Sequence, residues 1–114
     1  PFLSNSKIKE EVHQRALQAF FSHNIHLTKE RTGILIMVSL LEHRVEILAD
    51  TGINAKVSKD TWQNILSNMV SKIKSNELTD GICIAVRECG VILAKEFPGT
   101  HENPNEIKNK VIIE

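Results

Sequence analysis

Two carboxylates stand where α/β proteins often do chemistry. Asp50, in Asp50-Thr51-Gly52, closes an apolar segment, and ligands of open α/β sheets bind outside strand ends. Asp80 follows Thr79 at the start of an amphipathic stretch. Facing one crevice, the pair could hold a divalent cation. Calcium, however, takes about six to eight oxygen ligands, and two carboxylates without a third are a thin set. Each also has a plain structural role. Asp50 suits a turn acceptor beside a glycine, and Asp80 suits a helix N-terminus, worth about 0.3–1 kcal/mol. Arg31 and Arg44 are candidates for binding an anion. They flank the first apolar segment at opposite ends and so do not form one clamp. His23 and His26 have an H-x-x-H spacing that His43 or His101 could join at zinc, but no Cys or acidic partner is near in sequence. No Ser-His-Asp or Cys-His order is legible. Cys83 and Cys89 lie six apart on one predicted helix, about 9 Å along its axis, too far for a disulfide. Cys89 falls on the apolar stripe, which makes it a packed thiol.

The elements that must position these residues follow from periodicity. Over residues 4–23, Ile8, Val12, Ala16, Ala19 and Phe20 line one helix face, widened by Leu17 and Phe21. Residues 33–40 are apolar on consecutive positions, so this strand is buried on both faces. Glu42-His43 is a tight connection to a second strand over 44–49, which implies an antiparallel hairpin. Residues 58–75 form a helix with Trp62, Ile65, Leu66, Met69, Val70 and Ile73 on its stripe. Ser58 caps it, and Val57 staples onto Trp62, a core anchor. A last helix over 79–97 is capped by Thr79, stapled by Leu78 and Cys83, and stopped by Pro98. Its stripe is Ile82, Ala85, Val86, Cys89, Gly90, Leu93 and Phe97. Residues 98–110 read as a polar loop, and Val111-Ile112-Ile113 as a short edge strand.

The fold class that results is a small α/β sandwich, a hairpin-containing mixed sheet packed by three helices. A chain of 114 residues suits one domain. Fourteen Lys and Arg balance fourteen Asp and Glu, which argues against a nucleic-acid module held by bulk charge. Aromatic residues make up only 4%, too few for a base-stacking platform. The longest apolar run, residues 33–41, is nine long with one Ser, against about 20 for a membrane span. The doubly apolar first strand needs neighbours at its edges, so a hairpin alone leaves the sheet unfinished. The tail, a second copy, or sequence outside this chain must complete it.

The ordered set Arg31-Thr32-Gly33, Ile34-Leu35-Ile36-Met37-Val38-Ser39-Leu40, Glu42-His43-Arg44-Val45-Glu46-Ile47-Leu48-Ala49-Asp50 and Gly52-Ile53 resembles the TPM domain family, and so do the later Trp62, Asp80-Gly81, Cys89-Gly90, Phe97-Pro98 and Asn105-Glu106. The likeness runs from about residue 12 to 113 and is greatest to the bacterial membrane-anchored branch. There, two transmembrane helices precede a segment like this one. The resemblance implies an α/β sandwich, either a single domain over 1–114 or the C-terminal part of one, itself soluble and carried by a bacterial membrane protein through upstream membrane helices. Some members of the family are acid phosphatases, and some bind a divalent cation in an acidic crevice. The family's Glu and Asp after the second strand fall here on Asn54 and Lys59. No metal is therefore expected at those two positions. Asp60 replaces the lost acid only if the turn shifts. The expectation is a non-catalytic module without cofactor, acting in protein interaction or envelope maintenance and meeting a protein partner or a second copy at a sheet edge. The alternative is an acid phosphatase dependent on Ca or Mg near Asp50 and Asp80.

Overall fold

The computed structural model describes residues 5–99 and 109–114. A long helix, α1 (Asn5–Ser22), leads into β1 (Ile34–Ser39) and β2 (Arg44–Ala49). A single helical turn, α2 (Thr51–Asn54), then precedes α3 (Lys59–Lys74), α4 (Leu78–Glu96) and β3 (Asn109–Ile113). The hairpin is antiparallel, with Ile34 opposite Ala49 and Ser39 opposite Arg44. β3 returns parallel to β1, placing Ile36 beside Val111, so the strand order is β2-β1-β3. The tail thus extends the sheet within the chain.

β1 explains the layering. All six of its residues are buried, and successive side chains point to opposite faces. Leu35 and Met37 pack with Val12, Ala16, Phe20 and Ile25 on the α1 side. Ile34, Ile36 and Val38 pack with Ile53, Ile65, Met69, Ala85, Cys89 and Phe97 on the α3 and α4 side. β2 is sided as its alternation predicts, with Val45, Ile47 and Ala49 against the second cluster. Ser58 caps α3, accepting from the Thr61 N–H at 3.3 Å, and Val57 and Trp62 both pack on the core.

Several readings change. The hairpin connection is a four-residue turn over 40–43, not Glu42-His43 alone, with His43 at φ 54°. α2 has no apolar period, being too short to show one. Thr79 lies inside α4, whose N-cap is Glu77 and makes no side-chain cap bond. The α4 stripe is rotated from its expected place. Val86 is 48% exposed and Gly90 is exposed, while Gly81 is buried against Lys72. Phe21, expected on the α1 stripe, is 53% exposed and meets the His26 ring instead. Of the expected loop over 98–110, residues 100–108 lie outside the described residues, and Asn109 and Lys110 already belong to β3. His101, Asn105 and Glu106 fall in that same stretch, and Ser4 also lies outside the described residues.

Candidate functional site

At the end of the sheet where β1 begins, the Arg31-Thr32-Gly33 and Asp50-Thr51-Gly52 segments lock together. Asp50 follows β2 directly, and its N–H donates to the Gly33 carbonyl at 2.9 Å. Its carboxylate caps α2, accepting from the Thr51 N–H at 2.7 Å. Arg31, held at φ 57°, reaches the same carboxylate twice, Nε to Oδ2 at 2.8 Å and Nη2 to Oδ1 at 3.1 Å. The Ile53 N–H donates back to the Arg31 carbonyl at 3.2 Å, and the Thr32 N–H donates to Thr28 Oγ1 at 2.8 Å. Both glycines are needed for close approach. A Cβ on Gly52 would lie 1.8 Å from the Glu30 carbonyl oxygen, and one on Gly33 would lie 2.2 Å from that of Ile25.

The Asp50 side chain is 4% exposed and the Arg31 side chain 50%. Hydrogen bonding to Asp50 raises the Arg31 guanidinium above its ordinary value. A carboxylate offers about four lone-pair positions, and hydrogen bonds within the chain take three of them here. Asp50 is therefore a structural acceptor, spoken for by its own chain.

The structure brings Arg31 and Asp50 together, a pairing that the sequence reading did not make. It does not unite Asp50 with Asp80. Asp80 is 59% exposed in the first turn of α4 and pairs with Lys72 at 3.0 Å, which also holds Glu77 at 2.8 Å. Those partners belong to the last turn of α3 and the connection to α4. That turn adjoins the hairpin end of the sheet, since Ile73 and Lys74 share a cavity with Ser39 and Arg44. Asp50 sits at the other end.

Among the described residues, the divalent cation implied by the family finds no fitting donor set. Asn54 ends α2 with an amide, and Lys59 opens α3 with an ammonium. Among the described residues, no group of three or more His, Cys, Asp and Glu is placed to hold a metal ion.

Arg44 lies at the far end of the hairpin from Arg31, opposite Ser39. There the chain builds a polar seam that periodicity does not reveal. Arg15 on α1 bonds Glu42 in the turn and Glu114 beyond β3, at 2.7 Å to the latter. Ser39 Oγ donates to Glu42 at 2.7 Å, and His13 meets Glu46 at 2.6 Å. Both Arg15 and Glu42 are displaced in the direction that keeps them charged, Glu42 by its hydrogen bonds from Ser39 and then Arg15. The hint in sequence is a basic residue and a His flanking the apolar stripe of α1. Cys89 is a packed thiol, pushed up to about 11 by burial and then by Glu88, which is the wrong direction for a nucleophile.

A mixed three-stranded sheet between α1 and the α3–α4 pair, fastened by the Arg31–Asp50 lock, defines a small α/β sandwich. The family model of the TPM domain matches residues 3–91, and the chain belongs to that family. Among solved structures it is similar to the BA42 protein of the psychrophilic bacterium Bizionia argentinensis, determined by NMR. That likeness has a TM-score of 0.72 and 29% identity, covering 86% of this chain and 70% of that one. No curated protein matches it significantly. Among the described residues, no helix is long and apolar enough to cross a membrane.

Proposed function

We propose that this TPM domain is a non-catalytic interaction module of a membrane-anchored bacterial protein, and that it receives an extended segment of a partner protein along β3. The observation that carries this is the asymmetry of the sheet. Among the described residues, β2 is flanked by α1 and α3, whereas no helix packs extensively on β3. Among the described residues, β3 is hydrogen-bonded on one side alone. The Glu114 N–H donates to Val38 and its carbonyl accepts from Leu40, each at 2.9 Å. Strand alternation then turns the N–H and C=O groups of Val111 and Ile113 away from β1. Such an edge is a template for adding a strand. Exposed Val86 and Ile113 lie along it and offer apolar contact. The engagement of Asp50 and Asp80 by their own cations supports the non-catalytic side of the reading.

A photo-reactive residue at position 86, on the exposed rim of that edge, should cross-link the full-length protein to a partner polypeptide in its host. Ile113→Pro removes an outward N–H without breaking a ladder bond to β1, and it should abolish that cross-link while leaving the thermal midpoint nearly unchanged. Fractionation of the same cells should find the protein with the membrane. Cross-links that persist in the proline variant, or none at all, would overturn the edge reading.

A further inference from the structure

The hairpin turn and the last turn of α3 enclose a cavity of about 320 Å³. That lies at the low end of the range for small-molecule sites, roughly 300–1,000 Å³. Val45, Val70 and Ile73 form an apolar wall, and Arg44, Lys74 and His43 bring positive or titratable groups to it. Among the described residues, no carboxylate lines it. The acids nearest in sequence are already committed, Glu42 to Arg15 and Ser39, and Glu46 to His13.

Arg44 and Lys74 differ from the ion-paired cations of the fold. Arg15, Arg31 and Lys72 are each held by carboxylates of the chain. Among the described residues, the side chains of Arg44 and Lys74 make no ion pair or hydrogen bond. A lysine in a last helical turn is what any helix C-terminus favours. That does not account for Arg44, which is half-buried on another element and faces the same cavity.

The neighbouring helix end decides the kind of anion. The Ser75, Asn76 and Glu77 N–H groups return to carbonyls of Ser71, Lys72 and Ile73 and satisfy much of that end. It remains the negative pole of α3 and opposes a dianion more than a monoanion. A planar carboxylate also matches the guanidinium fork. We infer that this cavity binds a small organic monocarboxylate, its charged group on Arg44 and Lys74 and its apolar body against Val45, Val70 and Ile73.

Benzoate titrated into the ¹⁵N-labelled chain should give saturable amide shifts confined to residues 39, 43–45, 70 and 73–76. Benzyl alcohol and inorganic phosphate each lack half of the required chemistry and should bind about tenfold more weakly or worse. Arg44→Gln and Lys74→Gln should each weaken benzoate by up to about tenfold. Lys74 is exposed, so its variant stays folded even if Arg44→Gln does not. Absence of saturable shifts, shifts indifferent to Lys74→Gln, or phenyl phosphate binding more tightly than benzoate would each overturn the assignment.

Discussion

Gly52→Ala is the sharpest test of the lock between the two glycine-containing segments. Gly52 lies inside α2 without a positive φ. By local propensity alone, alanine should stabilise the helix by up to about 1 kcal/mol. The tertiary contact reverses that sign. The added Cβ would sit 1.8 Å from the Glu30 carbonyl oxygen and 2.7 Å from that of Arg31. Both are backbone atoms, so the 30–31 segment must retreat by more than an ångström to reach ordinary contact. That movement stretches the Ile53-to-Arg31 hydrogen bond, worth about 0.5–1.5 kcal/mol net, and pulls Arg31 from Asp50. With an overpacking cost of about 1–3 kcal/mol, the net loss is on the order of 1–3 kcal/mol. This corresponds to a fall in Tm of roughly 4–8 °C per kcal/mol. Gly90→Ala is the internal control. Nothing lies within 4 Å of its added Cβ in the middle of α4, so it should gain about 0.5–1 kcal/mol. Urea unfolding of both variants gives the answer. A neutral or stabilised Gly52→Ala would mean that the Arg31 segment is not held as described.

Met69, 1% exposed in the core, should lose about 2–5 kcal/mol on truncation to alanine, whereas Val86→Ala, at a half-exposed site, should stay within about 0.5 kcal/mol of wild type. Chemical denaturation separates the two. Ca²⁺ or Mg²⁺ at micromolar concentration should leave the amide spectrum around Asp50 and Asp80 unchanged, because their carboxylates are held by Arg31 and Lys72. Saturable shifts there would restore the metal-dependent reading. The Glu42 carboxyl is held below its ordinary value by Ser39 and Arg15. A lowered folded-state pKa adds stability above the unfolded value, and that stability is lost as pH falls through the folded one. Glu42→Gln should therefore be less stable than wild type near about pH 7 and converge with it below about pH 4, as read from urea midpoints.

The helices and the hairpin were legible because their signals are local. A 3.6-residue apolar period marks α1, α3 and α4, and the unbroken apolar run of β1 demands cover on both faces, which α1 and the α3–α4 pair provide. The β-branched tail announced a strand, and the Ser58 cap was visible from one residue type. Period says nothing about how a helix is rotated when neighbours compete for the same strand, so Val86 was expected inside and is half-exposed. Nor does it mark a single turn such as α2. The parallel register of β3, the Arg31–Asp50 lock and the Arg15–Glu42–Glu114 seam each join residues 19 to 99 positions apart. The spacing of charges along the chain could name Arg31, Arg44, Asp50 and Asp80 as candidates. Which of them neutralise each other, and which are left facing a cavity, depends on where the chain returns in three dimensions. Arg31 and Asp50 meet because β1 and β2 run antiparallel, with Ile34 opposite Ala49. Arg44 is left lining a cavity because the same register carries it to the opposite end.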